Sequence, residues 1–337
     1  MHYYEERKKK NGGIKLVVVI ILSAVIVVAG IAIFLNWDSI MHYVKTGEVP
    51  DPAFTPTAEP EITPLPTATP EPVEPVNSGA NTLGTRFNPP AGFEKVEVES
   101  GSFGEFLRNY ALKPYGTAAK LADGKDNPTA PKEAVLDQTI RANGLQQCAD
   151  AIIRLYAEYR YGRGEYEYMA FDCFTTPVFT IDFQTWTTGK RIRAVKNALE
   201  WYVSDKATPG DTSYGTLLYF LDNVFLYANT YSLKNQMMQI SPSDIRPGDC
   251  LIITSDQTGG SDGHAIIIAD VAKNAETGEM VFMLAEGNTP ATETYVLVNE
   301  DTGTVWFTLN EAGAFSKKSV DGKIVTYPPD AFRRFKN

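Results

Sequence analysis

The chain has little histidine and little cysteine, with three residues of each among its 337. His2 and His42 flank an apolar segment near the N-terminus, so His264 is the single histidine of residues 83–337. A zinc site built from several histidines is therefore excluded from that part of the chain. Chemistry that needs an imidazole base there has to use His264.

Three cysteines are also too few for a disulfide framework, which exported domains build from a larger, even number. Two arrangements remain open. Either all three thiols are free, or Cys173 pairs with Cys250 and Cys148 is left over. Cys148 is available as a reactive thiol in both arrangements.

Several sequence signatures are absent. There is no G-x-S-x-G nucleophile elbow and no Walker or dinucleotide-binding glycine loop. We expect neither a metal ion nor an organic cofactor. Residues 78–337 carry 25 basic and 32 acidic side chains, a net charge of −7. Because nucleic-acid-binding domains have a basic footprint, we expect no nucleic-acid partner.

An uncharged apolar run of 20 residues occupies positions 16–35. A helix of this length spans roughly 30 Å, the hydrocarbon thickness of a bilayer. We predict a transmembrane anchor over residues 16–37. The basic residues within 1–15 predict a cytoplasmic tail, and hence a single-pass protein of the cell membrane whose C-terminal domain is extracytoplasmic. A cleaved signal peptide, the alternative, would have a shorter apolar core and a small-residue cleavage site, where Phe34 and Leu35 stand here.

Residues 38–82 have the composition of a spacer. Nine prolines and six threonines fall between Thr46 and Val76, with acidic residues and no lysine or arginine. Proline removes backbone donors and favours extended polyproline II conformation, so we predict a semi-rigid extracytoplasmic linker. Residues 83–337 are then the folded domain, which is long enough to bury a large core.

The pattern of this domain predicts an α+β fold, with N-terminal helices packed on a C-terminal antiparallel sheet. Ser102 and Glu105 form a capping-box pattern at the start of one helix, and residues 165–183 are typical of two short strands. Further helices are predicted over about 133–142, 145–161, 191–204 and 214–228. Strands are predicted at Asp249–Thr254, His264–Val271, Met280–Glu286, Thr294–Asn299 and Val305–Leu309.

Cys148 and His264 both lie where an element begins. Cys148 falls in the first turn of the predicted helix 145–161, where unpaired N–H groups and the helix dipole favour a thiolate. His264 opens an apolar strand directly after a polar loop, a position from which a side chain can face a cleft. The two residue types together indicate a cysteine nucleophile activated by a histidine base.

The strand after His264 brings a polar partner to the imidazole. A hairpin that pairs Asp270 with Met280 also places Glu286 opposite His264, on the same face of the sheet. Glu286 would then fix the tautomer and orientation of the ring, the third role in a cysteine–histidine–acid arrangement. Asn288, two residues further on, is a second candidate for this role, and the sequence leaves the choice open.

Four short motifs within residues 140–290 resemble the cysteine, histidine-dependent amidohydrolases/peptidases (the CHAP family): QQCADA, PGDCLII, DGHAIIIAD and LAEGN, in this order. NlpC-type cell-wall peptidases share the same core, so the resemblance implies a papain-like fold. It implies that Cys148 is the nucleophile, His264 the general base and Glu286 the acid that orients the base. Asn288 matches a further polar residue, and Gln147 matches a glutamine whose amide assists the oxyanion.

The resemblance implies a cysteine hydrolase that cleaves amide bonds, and the predicted anchor over residues 16–37 makes it a membrane-anchored, extracytoplasmic one. Its placement outside a membrane makes cell-wall peptide the expected substrate, cleaved by an amidase or endopeptidase. Two alternatives remain open: a non-catalytic envelope-binding module on the same fold, and an acyltransferase that uses the same residues. The LQQCADA motif is also similar to an uncharacterised group of bacterial envelope proteins, which implies no activity.

Overall fold

The computed structural model describes residues 75–196, 198–258, 262–319 and 322–336. Its helices are α1 Leu83–Arg86, α2 Phe103–Arg108, α3 Cys148–Gly162, α4 Phe183–Thr187, α5 Tyr214–Phe225 and α6 Thr230–Gln236. Its strands are β1 Phe93–Lys95, β2 Ala170–Asp172, β3 Thr180–Asp182, β4 Lys190–Val195, β5 Ala198–Val203, β6 Met238–Gln239, β7 Cys250–Ile253, β8 His264–Asn274, β9 Met280–Glu286, β10 Tyr295–Val296, β11 Trp306–Phe307, β12 Phe315–Lys318, β13 Ile324–Tyr327 and β14 Phe332–Arg334.

The largest sheet of the described residues is antiparallel throughout. Its strands lie in the order β10–β9–β8–β7–β14–β6, while β1 also pairs with β8 and β11 with β9. Separate two-stranded sheets join β2 with β3, β4 with β5, and β12 with β13. The structure therefore confirms an α+β fold with antiparallel sheets, in which strands are more numerous than helices.

Both faces of the central strands are covered. Strand β7 is buried along its whole length. Its residues Cys250 and Ile252 belong to a core that includes side chains of α3 and α5, whereas Leu251 and Ile253 belong to a second core that includes the β12–β13 hairpin. Successive side chains of a strand point to opposite faces, so a strand covered on both sides has to be apolar without alternation. The apolar CLII run of β7 fits this arrangement.

A buried carboxylate lies where the two longest strands change register. Asp270 is fully buried, and its carboxylate lies 3.0 Å from Lys95 Nζ and 2.7 Å from Arg108 Nη2. The β8–β9 ladder shifts register just before Asp270, which faces Met283, so the predicted pairing of Asp270 with Met280 is wrong. A bulge can re-aim a side chain, and a buried charge needs paired cations. Asp270 lies at such a bulge and is paired with two cations. Because Lys95 belongs to β1 and Arg108 to α2, these ion pairs also hold both elements against β8.

The prediction of a helix over residues 191–204 is wrong, because this segment forms the β4–β5 hairpin. Lys196 takes a positive φ of 56° at the turn. The hairpin buries Ile192 and Leu199 and packs Trp201 against the main core. β-Branched and aromatic residues favour a pleated, half-buried surface, and here that preference outweighs the helical spacing of the apolar positions.

The prediction of a helix over residues 133–142 is also wrong. This segment is extended, and Val135 bridges Tyr295 while Leu136 bridges Leu112. Leu136 N–H donates to the carbonyl of Thr294 at 2.9 Å. The backbone groups are therefore paired with distant segments, which a helix would have paired locally.

Helix α3 replaces the predicted helix 145–161 and begins three residues later, at Cys148. The predicted pair of strands within 165–183 is confirmed as β2 and β3. The predicted helix 214–228 is confirmed as α5, with its end at Phe225. Helix boundaries are therefore predicted less well than the existence of the helices.

Among the described residues, no helix has the length and hydropathy needed to cross a bilayer. The predicted anchor 16–37 and the tail 1–15 lie outside those residues, as does the predicted linker as far as residue 74. The last residues of the predicted linker contact the folded domain, since Asn77 N–H donates to the carbonyl of Arg86 at 2.8 Å.

Candidate active site

Cys148 is a buried free thiol at the first position of α3. The three cysteines of the chain are all free, so the alternative with a Cys173–Cys250 pair is not formed. Gln147 is the N-cap of the helix, and its backbone N–H donates to Asp150 Oδ2 at 3.0 Å. The first N–H groups of a helix have no intrahelical acceptor and carry its positive dipole end. The Cys148 thiol therefore lies in a setting that favours negative charge.

Gly287 allows the start of α3 to approach the end of β9. A Cβ atom at this position would lie 3.0 Å from Ala151 Cβ and 3.1 Å from the carbonyl oxygen of Gln147. A glycine leaves room for this contact between the two backbones. The turn that carries Cys148 is thereby held beside the residue that follows Glu286.

His264 is the first residue of β8 and pairs with Ile253 of β7. The preceding Gly263 is closely packed, because an added Cβ would lie 2.5 Å from Thr230 Oγ1 and 2.7 Å from the carbonyl of Ile253. This packing fixes the point where the strand begins. The imidazole is 18% exposed, so it can contact buried partners and still be reached from solvent.

The predicted contact between His264 and Glu286 is present, with Nε2 of the ring 2.8 Å from Oε2 of the carboxylate. Near His264 the predicted register is wrong by two residues, since Ile267 faces Ala285 where Met283 was expected. Side chains alternate with a period of two, so a shift of two keeps Glu286 on the same face as His264. The pair meets diagonally across the ladder, which long side chains can span.

The carboxylate of Glu286 is 3% exposed and accepts three hydrogen bonds. Tyr295 donates to Oε1 at 3.0 Å, while His264 and the Lys317 ammonium both contact Oε2. Burial by itself would raise the pKa of Glu286, but the charges of Lys317 and His264, with their hydrogen bonds, lower that pKa to about 2. Glu286 is therefore ionised at neutral pH.

The imidazole of His264 links the thiol to the carboxylate. Burial disfavours its charged form, but the negative charges of Glu286 and Cys148, and hydrogen bonds to both, raise the pKa of His264 to about 9. Because Nε2 faces Glu286, Nδ1 is the ring nitrogen left for the Cys148 thiol. At neutral pH the ring is therefore protonated, with the ionised carboxylate on one side and the sulfur of Cys148 on the other. This is the arrangement of groups that a cysteine nucleophile requires.

The two other predicted site residues lie beside the first turn of α3. Asn288 donates from Nδ2 to the Tyr295 hydroxyl at 3.4 Å and accepts from the Thr289 N–H at 2.8 Å. The side-chain carbonyl of Gln147 accepts from Thr289 Oγ1 at 3.1 Å. In the structure the His264 ring is therefore bonded to Glu286. Asn288 and Gln147 are both bonded to Thr289 instead.

Tyr327 adds a buried phenol to the site. Its hydroxyl has no hydrogen-bond partner among the described residues. Burial, together with the charges of Glu286 and Cys148, raises the pKa of Tyr327 well above its ordinary value, so the hydroxyl stays protonated. A buried donor without an acceptor costs free energy in the folded state.

Replacing Tyr327 with phenylalanine should raise the free energy of unfolding by about 1 kcal/mol, because the unpaired hydroxyl is removed and the ring is kept. The matched control is Tyr295→Phe, which removes a donor to an ionised carboxylate and should lower the free energy of unfolding by about 2 kcal/mol. Urea denaturation of both variants measures the two changes. Destabilisation of equal size in both variants would show that Tyr327 has a partner in the folded protein.

Tyr295, Lys317 and Tyr327 are site residues that sequence reasoning missed, and the last two come from one hairpin, β12–β13. An Asp321–Gly322 pair between two stretches of strand-forming residues is a recognisable hairpin signal. That signal predicts the turn, but it does not show that the hairpin covers Glu286.

Residues 83–320 match the model of a family described as "Domain of unknown function (4846)". The match covers more than two thirds of the chain and includes the cysteine, the histidine and the glutamate of the candidate site. No match to a curated protein or to a solved structure was found.

Proposed function

We propose that this chain, which belongs to the family of domain of unknown function 4846, is a membrane-anchored extracytoplasmic cysteine hydrolase that cleaves amide bonds. One observation carries the proposal. A buried thiol at a helix start shares an imidazole with a buried, ionised carboxylate. Such a chain of thiol, imidazole and acid is what activates a cysteine nucleophile.

In the proposed reaction, Nδ1 of His264 accepts the proton of Cys148, and the thiolate attacks the carbonyl carbon of the amide. A C–S bond forms, and the carbonyl electron pair moves to oxygen. When the tetrahedral intermediate collapses, the C–N bond breaks and the imidazolium gives its proton to the leaving amine. His264 then takes a proton from water, which attacks the thioester, and the C–S bond breaks to release the acid.

The start of α3 supplies the groups that could stabilise the oxyanion. The N–H groups of the first turn point away from the helix body and carry partial positive charge. The carbonyl end of the Gln147 side chain is engaged by Thr289, which leaves its NH₂ end as the donor. This arrangement supports the oxyanion role that the family resemblance implies for Gln147.

The positions of the three groups also support a papain-like core. The cysteine begins a helix, the histidine begins a strand, and the acid ends the neighbouring strand. Together with the predicted anchor and linker, this makes a peptide amide of the cell wall the proposed substrate. The choice of substrate follows from the family resemblance and not from the site itself.

The test is the replacement of Cys148 by alanine in the full-length chain. Wild type should release new amine and carboxyl ends from purified peptidoglycan, and Cys148→Ala should lower that rate to background, because the nucleophile is gone. Cys173→Ala is the matched control, since Cys173 is also a buried free thiol and is not bonded to the imidazole. End-group analysis by mass spectrometry measures all three.

Three outcomes separate the alternatives. Equal activity of wild type and Cys148→Ala on peptidoglycan would refute a cysteine hydrolase. Products that carry an added free amine in place of water would assign acyl transfer to the same residues. Binding to cell walls by both proteins, without cleavage by either, would identify a non-catalytic envelope module.

A further inference from the structure

The β12–β13 hairpin places the ammonium of Lys317 beside the carboxylate of Glu286. Phe315 pairs with Tyr327 and Lys317 pairs with Val325, so Lys317 lies on the same face of the hairpin as Phe315 and Tyr327. Those two aromatic residues belong to a core that also contains side chains of β8 and β9. The Lys317 side chain is 14% exposed. An ammonium so deeply placed requires a specific anionic partner.

That partner is the carboxylate that also holds the imidazole. Lys317 Nζ and His264 Nε2 both contact Oε2 of Glu286. The ammonium attracts the carboxylate and keeps it ionised. It also lies close to the ring and opposes the imidazolium. The effect of Lys317 on the site therefore depends on the charge of the whole cluster.

Four ionisable groups form this cluster: Cys148, His264, Glu286 and Lys317. With a neutral thiol and a neutral ring, the charges of the carboxylate and the ammonium cancel. After the proton moves from sulfur to the ring, a negative and a positive charge are added, and the sum is again zero. The other titratable groups facing the carboxylate, Tyr295 and Tyr327, stay neutral because burial raises the pKa of each. Without the ammonium, both states would place a net negative charge in a buried site, which is costly.

We propose that Lys317 is a positioning residue of the site. It keeps Glu286 ionised, so that the carboxylate holds the His264 imidazolium and the Cys148 thiolate forms within a cluster of zero net charge. The proposal rests on the thiol–imidazole pair of the proposed function. It concerns how the thiol ionises, however, and does not depend on which bond the thiolate attacks.

Replacing Lys317 with methionine removes the cation and keeps much of the side-chain length. Glu286 is then a buried carboxylate without its ammonium, so it takes up a proton at a higher pH than in wild type. Below that pH the imidazolium has lost its counter-charge and the thiolate is lost with it. We expect the pH of half-maximal Cys148 alkylation to rise by about one unit or more. The rate at pH 5 should fall about tenfold, against less than about threefold at pH 8.

Iodoacetamide labelling of the full-length chain between pH 4 and 10 measures this shift. Mass spectrometry of the peptide that contains Cys148 separates its labelling from that of the other two thiols. Lys318→Met is the matched control, because it removes the same charge from the neighbouring residue, whose closest carboxylate is Glu300 at 3.9 Å. Its profile should overlay that of wild type, and Lys317→Arg should restore the wild-type profile.

A second comparison keeps the test decisive if the methionine variant folds poorly. Lys317→Met is combined with Glu286→Gln, which leaves no unpaired buried charge. If Lys317 acts through the carboxylate, adding the methionine to Glu286→Gln should not shift the profile further. A profile of Lys317→Met that matches wild type, or an equal shift in the Glu286→Gln background, would overturn the proposal. A shift seen without any peptidoglycan cleavage by wild type would retain the role of Lys317 while refuting the hydrolase.

Discussion

Replacement of His264 by alanine is expected to lower amide cleavage by about 10³-fold or more. In the proposed reaction the imidazole takes the thiol proton, protonates the leaving amine and activates water, and general acid–base steps of this kind each contribute about 10²–10⁴-fold. The same variant should slow Cys148 alkylation at neutral pH, because the thiolate loses the imidazolium beside it. Peptidoglycan cleavage and iodoacetamide labelling, measured in parallel, check the two effects.

The pH dependence of wild type distinguishes a catalytic histidine from a structural one. The pKa of His264 is about 9, so the imidazolium that would protonate the leaving amine in the proposed reaction is present below that pH and is lost as pH rises through it. Cleavage should therefore fall on the alkaline side with a midpoint near 9. His42→Ala, which changes a histidine outside the described residues, is the matched control and should leave both assays unchanged. Full labelling of Cys148 in His264→Ala at neutral pH would contradict the assignment of the base.

The predicted contact between His264 and Glu286 is present, although the predicted register of their two strands is wrong. Next to the turn the register differs from the predicted one by three residues, an odd number that would place the two side chains on opposite faces. Beyond the bulge it differs by two, which returns Glu286 to the face of His264. The register itself was not predictable. It depends on a bulge beside Asp270, and the cations that hold this carboxylate come from Lys95 and Arg108, 175 and 162 residues earlier in the chain.

The two failed helix predictions have a common physical cause. Residues 133–142 and 191–204 contain apolar positions at helical spacing, but their backbones pair with other strands or with each other. The spacing of apolar residues indicates which side of a segment is buried. It does not indicate which groups its backbone N–H and C=O groups bond. The choice between Glu286 and Asn288 was open for a similar reason, since Glu286 ends the strand, Asn288 lies two residues beyond it, and only the contact of His264 Nε2 with Glu286 Oε2 distinguishes them.

The role of Lys317 in the β12–β13 hairpin could not be predicted from the sequence. A turn signal predicts that two short strands pair, but the partner of the hairpin is a face of the sheet formed by residues 30 to 60 positions earlier. A lysine at an alternating strand position is normally a solvated side chain. Only the buried carboxylate beneath it gives this lysine a role, and that carboxylate is recognisable only after the sheet has formed.

Replacement of Glu286 by glutamine is expected to lower amide cleavage by about 10²–10⁴-fold, while the fold is kept. The carboxylate can only accept a hydrogen bond, so it requires Nε2 of His264 to carry a proton and leaves Nδ1 free to take the proton of the thiol. The glutamine amide can instead donate to Nε2, which moves the ring proton to Nδ1, the nitrogen that faces Cys148. A ring in that tautomer cannot act as the base.

Asn288→Ala is the matched control for Glu286→Gln, because Asn288 follows the same strand and bonds Tyr295 and Thr289. It should change the cleavage rate by less than about threefold, since the geometry of His264 depends on the carboxylate. Circular dichroism and thermal unfolding check that both variants are folded, and the ratio of their cleavage rates measures the effect. Equal losses in the two variants would mean that the end of β9 acts as a structural unit and that Glu286 has no separate role in orienting the ring.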